Sequence, residues 1–112
     1  YLRYQGAKFV SRFDANSYIS LVTAMSSHDV GRDRGGVEAA LQQATMPTLV
    51  LTIDSDRLFP VADQERIAAG APGNLDGTKP HLISSEYGHD AFLIESELVG
   101  EQLRRLLGTS GP

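Results

Sequence analysis

Two short polar stretches hold the residues of this chain best suited to chemistry. Asp54 and Asp56 follow the aliphatic run TLVLTI at 48–53, and Glu86, His89 and Asp90 follow the run HLISS at 81–85. Asp56 and His89 lie 33 positions apart. That distance suits one excursion from a strand through a helix to the next strand. If the two strands lie side by side and parallel, a carboxylate after the first and an imidazole after the second can meet. The carboxylate then accepts a hydrogen bond from one ring nitrogen, while the other nitrogen is left to take a proton from a nucleophile. An Asp after a strand is more often a turn former or helix cap, and Asp54 reads that way. A His in a glycine-containing loop is more often solvated or hydrogen-bonding, so the pair has to be judged by what positions it.

The elements that would do so are legible in the pattern. TLVLTI is β-branched and aliphatic without polar alternation, as expected of a strand covered on both faces of a parallel sheet, which predicts a strand over 48–53. Pro60 then opens VADQERIAAGA as a helix that ends before Pro72. A turn rich in Gly, Asn and Asp leads to a second strand at 81–85, and FLIESELVGEQLRRLL reads as one closing helix. Strand, helix, strand, helix is a βαβα unit, so residues 47–112 read as α/β with parallel strands. Such sheets gather catalytic groups in loops at the carboxyl ends of their strands, where both polar stretches lie. Residues 1–46 have a different character. Asp14 is a good N-cap before ANSYISLVTAMSS, HDVGRDRGG is a polar glycine-rich loop, and VEAALQQA is a short helix. Tyr18, Val22 and Met25 recur at helical spacing and read as packing residues.

Composition excludes several alternatives. The chain has 112 residues, 41% hydrophobic and 21% charged, ordinary for a folded domain. Lys and Arg number 10 against 14 Asp and Glu, with no basic stripe, so nucleic acid is not an expected partner. The absence of cysteine removes disulfides and thiolate metal sites, and no metal site is expected. No apolar run is long enough for a membrane span, so no membrane partner is expected. The first residue is not Met and falls inside an amphipathic segment, which suggests a piece of a longer protein.

Three stretches carry a more specific likeness. Ser55-Asp56-Arg57-Leu58-Phe59-Pro60 and Tyr87-Gly88-His89-Asp90-Ala91-Phe92-Leu93 resemble the acid and histidine motifs of the homoserine O-acetyltransferases. Tyr4-Gln5-Gly6-Ala7-Lys8-Phe9, followed by Arg12-Phe13-Asp14-Ala15-Asn16-Ser17-Tyr18, resembles the helical lid of the same family. The likeness runs from residue 1 to about 107.

That resemblance implies an α/β-hydrolase fold, with residues 1–46 as a helical lid segment and 47–112 as the C-terminal part of the core. It makes Asp56 the acid and His89 the general base of a Ser-Asp-His triad, and places Asp90 against the amino group of the acceptor. It implies a ping-pong reaction in which a serine takes an acetyl group from acetyl-CoA, a co-substrate rather than a bound cofactor, and passes it to the γ-hydroxyl of L-homoserine. A cytoplasmic homodimer joined through lid helices, with a place in methionine biosynthesis, is implied as well. One feature is missing: none of the ten serines stands in a G-x-S-x-G elbow, so the nucleophile is expected in the remainder of the enzyme and this segment alone is expected to be inactive. Serine or homoserine O-succinyltransferases resemble the chain equally in this region. A non-catalytic dimerisation module of hydrolase descent, and a plain esterase or lipase of the same fold, are the other readings.

Overall fold

The computed structural model describes residues 1–108 and divides the chain into two compact units, Tyr1–Val30 and the remainder from Gly31. The first is a pair of helices, α1 (Leu2–Arg12) and α2 (Ala15–Ser27). Asp14 caps α2 as its residue type predicts, accepting from the Ser17 amide at 3.0 Å. Phe9 ties the two helices together, stacking on Phe13 at 5.3 Å and meeting Tyr18 edge-on at 5.4 Å. No residue of this unit is buried, and Leu2, Tyr4, Val10, Ile19 and Met25 stand largely exposed.

The second unit is α/β, with two parallel strands. A loop with positive φ at Asp33, Gly35 and Gly36 leads into α3 (Val37–Leu41). Then come β1 (Leu51–Ile53), α4 (Val61–Gly70), β2 (His81–Ile83), a single 3₁₀ turn at Gly88–Asp90, α5 (Ala91–Ile94) and α6 (Ser96–Gly108). The strands pair in register, Leu51 with His81 and Ile53 with Ile83, as the strand-helix-strand order requires.

Both strands are shorter than the aliphatic runs suggest, for a local reason. Thr48 bridges to Asn74, and the Val50 amide is taken by Asn74 Oδ1 at 3.2 Å instead of by a neighbouring strand. The Asn74 Nδ2 donates to the carbonyls of Gly77 and Lys79, both at 2.9 Å, so this one buried side chain organises the turn before β2. At the other end Ser84 and Ser85 leave the ladder to bond Asp54 and Ser55. The single closing helix predicted from residue 92 onward is two helices. Glu95 breaks it with a non-helical ψ of 46°, and its carboxylate accepts from Ser85 Oγ at 2.8 Å.

Ile53, Ile83 and Ala91 form the core, with Val99 of α6 packed against them. Most other buried apolar positions are alanines, and no large side chain among the described residues is completely enclosed. Two strands and so thin a core bury little apolar surface. No described helix is long and apolar enough to cross a membrane.

Candidate active site

The site is built on the turn that follows β1. The Asp54 amide reaches across to the Ile83 carbonyl at 3.2 Å, and the Asp56 amide turns back to the Ile53 carbonyl at 3.1 Å. The chain therefore bends sharply and carries the Asp56 side chain inward, where it is buried. Its Oδ1 accepts from the amides of Leu58 at 2.8 Å and Phe59 at 2.9 Å, and its Oδ2 stands 2.9 Å from Nδ1 of His89. The Phe59 amide first, and then His89, hold the Asp56 carboxyl below the usual aspartate range, against the opposing effect of burial. It is thus ionised at neutral pH and can only accept. A neutral His89 must then carry its proton on Nδ1, leaving the Nε2 lone pair outward.

His89 reaches this position through the turn before it. Gly88 has φ +59°, a conformation costly for any residue with a Cβ. The ring is held between Phe59, with centroids 5.0 Å apart, and Phe92, at 5.4 Å. No described group bonds to Nε2. The ring, Asp56 and the two phenylalanines line a cleft of about 380 Å³ whose other walls include Ile53 and Val99. Thr52 also lines it, and its buried Oγ1 has no partner among the described residues.

A second set of bonds joins the two loops behind the pair. The Asp54 carboxylate accepts from Ser84 Oγ at 2.6 Å and from the Ser85 amide at 3.0 Å, and these two bonds, in that order, hold it below the usual aspartate range. Ser55 Oγ donates to the Ser85 carbonyl and accepts from the Gly88 amide at 2.9 Å. Asp54 is therefore a brace between loops, a role beyond the turn former suggested by its position. None of these partners is readable from spacing alone. The only trace in the sequence is Ser55, which stands between Asp54 and Asp56.

Of the residues singled out in sequence, Asp56 and His89 are brought into contact. Asp90 lies beside them in the 3₁₀ turn, exposed, with no described group bonding its carboxylate. It stands at the N-cap position of α5 without making a side-chain cap bond. Glu86 is exposed, and His81 lies away from the cleft, 3.7 Å from Asp76. Among the described residues no group of three or more His, Asp or Glu side chains is arranged to hold a metal ion.

The same stretches of sequence recur in known proteins. The chain is 63% identical over 109 residues to the homoserine O-acetyltransferase of Clavibacter michiganensis subsp. michiganensis, and 59% identical over 106 residues to that of Leifsonia xyli subsp. xyli. The chain is a homologue of part of the homoserine O-acetyltransferases. A third relative bearing that name, from Mycobacterium tuberculosis, is 51% identical over 108 residues. These matches take in 95–97% of this chain but only 26–28% of each homoserine O-acetyltransferase, so the chain spans little more than a quarter of the length of these relatives. No family model matches the sequence.

Proposed function

We propose that the chain is the acid- and histidine-bearing part of an α/β-hydrolase-fold acyltransferase that moves an acetyl group from acetyl-CoA to the γ-hydroxyl of L-homoserine, a step of methionine biosynthesis. The observation that carries this reading is the 2.9 Å contact between the Asp56 carboxylate and His89 Nδ1 in a chain so similar to homoserine O-acetyltransferases. His89 Nε2 takes the proton of a serine supplied by the rest of the protein as that serine attacks the thioester. The tetrahedral adduct expels CoA as a thiolate, which the imidazolium protonates. The γ-hydroxyl of homoserine then attacks the acetyl-serine, gives its proton to Nε2, and the departing serine oxygen takes it back. Asp56 holds the imidazole in the tautomer this requires and stabilises the imidazolium twice per cycle. Asp90, exposed beside His89, is the group assigned to the ammonium of the acceptor.

Residues 1–46 are the lid segment in this reading and 47–112 part of the core, of which residues 109–112 lie outside those the structure describes. The exposed apolar residues of α1 and α2 suit a lid surface through which a cytoplasmic homodimer forms. The test is acyl transfer by the full-length protein and by His89→Ala, with acetyl-CoA and succinyl-CoA as donors and L-homoserine, L-serine and water as acceptors. Acetylation of homoserine, lost by at least about 10³-fold in the variant, is the expected result. Succinyl transfer, or transfer to water alone, would replace the substrate assignment, and an active His89→Ala would remove the catalytic one.

A further inference from the structure

The Asp56–His89 contact joins two loops whose backbones stop pairing at Ile83. Something must set the distance between them to within a fraction of an ångström. The Asp54 brace acts at Ser84 and Ser85, before the histidine turn begins, and Asp54 and Ser84 are exposed to water. Apart from the Asp56–His89 contact itself, the side-chain bond that reaches past Ser85 from the acid loop is that of Ser55. This half-buried hydroxyl sits directly before Asp56, and its partner amide, Gly88, sits directly before His89. By donating to the Ser85 carbonyl while accepting from Gly88, it uses both its capacities on the two ends of the segment that carries the histidine.

From this geometry, and resting on the acyltransfer reading above, we infer that Ser55 is a positioning residue that sets the reach of His89 to Asp56 and so the orientation of the general base. It touches neither substrate nor the reacting atoms. Removing the hydroxyl leaves the Gly88 amide and the Ser85 carbonyl to water, and the turn at Gly88 gains freedom to slide along the cleft.

The experiment compares full-length wild type with Ser55→Ala, Ser55→Cys, Ser55→Thr and Asp56→Asn. Misplacement of a catalytic group by about 1 Å costs roughly 10²-fold, so Ser55→Ala and Ser55→Cys are expected to lose about 10- to 100-fold in kcat with KM for acetyl-CoA unchanged. Ser55→Thr, which keeps the hydroxyl, should stay within about threefold of wild type. The low-field proton NMR signal of the His89 Nδ1–H bonded to Asp56 should broaden or vanish in the Ala and Cys variants and persist in Thr, with the thermal midpoint of all three near that of wild type, a combination that general loosening of the fold would not give. Ala and Cys variants with wild-type kcat beside an inactive Asp56→Asn would overturn the inference alone. A Thr variant as poor as Ala would do the same. Full activity in Asp56→Asn would bring down the triad reading and this inference with it.

Discussion

Replacing Asp56 by Asn separates the structural work of this side chain from its chemical work. The two roles fall on different oxygens. Oδ1 accepts from the Leu58 and Phe59 amides, and an asparagine oxygen can keep both bonds, at 2.8 and 2.9 Å, with no change of shape. Oδ2 becomes an NH₂ group 2.9 Å from His89 Nδ1. Two donors cannot face each other, so the ring must present a bare Nδ1 and carry its proton on Nε2, where a base needs a lone pair. The substitution also removes the charge that stabilises the imidazolium. In the serine-protease triad the same change costs about 10⁴-fold in kcat, and the matching geometry leads us to expect about 10³- to 10⁴-fold here. The assay is release of free CoA thiol by the full-length protein with saturating acetyl-CoA and L-homoserine, paired with a thermal melt. The expected outcome is a protein that still melts cooperatively, at a midpoint somewhat lowered by loss of the stabilising charge, with almost no turnover. Turnover within about tenfold of wild type would refute the tautomer argument, since an Asn that accepts from Nδ1–H has to turn its NH₂ group against the Leu58 and Phe59 amides and lose both of those bonds.

Other consequences can be measured on the same preparation. On the proposed reading Asp90→Asn is expected to raise KM for L-homoserine about tenfold or more while leaving the burst of CoA release from acetyl-CoA intact, because in that reading only the second half-reaction meets the ammonium; an unchanged KM would free Asp90 from that role. Asn74→Ala removes three hydrogen bonds and strands the Val50 amide, a loss of roughly 3 kcal/mol, so the melting midpoint of the full-length protein should fall by about 4 °C, and a fall of under about 1 °C would show that water replaces the side chain. Asp54, Asp56, Asp76 and Glu38 are all held below ordinary values of 3.8 and 4.5, Asp76 chiefly by Arg105 and Glu38 by Arg66. The unfolded chain therefore binds protons at higher pH than the folded one, and the stability these groups contribute is whole above those ordinary values and drains away as pH falls through the lowered ones. Melts across pH 3 to 7 should be flat near neutrality and fall at the acid end, less steeply in Asp76→Asn, and equal acid slopes in the two proteins would contradict this.

What could be read in the sequence was what depends on nearest neighbours and periodicity. The two aliphatic runs, the capping Asp14 and the 33-position interval identified parallel strands and placed Asp56 near His89, and those features rest on backbone pairing that aliphatic patterning reports directly. The strand lengths were overestimated because Asn74 and Asp54 intercept the ladder at its ends, and a side chain reaching 24 or 30 residues away leaves no periodic trace. The break at Glu95 escaped for a similar reason: its residue type favours helix, and the Ser85 hydroxyl that holds it belongs to another loop. Ser55 was legible only as a neighbour of Asp56. Its partners are set by how β1 and β2 align, which no local pattern encodes.

The acid half of the pair is self-contained. The two amides that aim the Asp56 carboxylate come from residues two and three positions further along the same turn, so its orientation travels with that turn wherever the strand carries it. The imidazole has no such private frame and takes its bearings from the other loop. Sequence drift in the thin apolar layer beneath would therefore leave the aspartate correctly aimed at a histidine that has wandered. In lineages where this segment decays, catalysis should disappear while the protein still folds, leaving inactive descendants whose acid loop looks untouched.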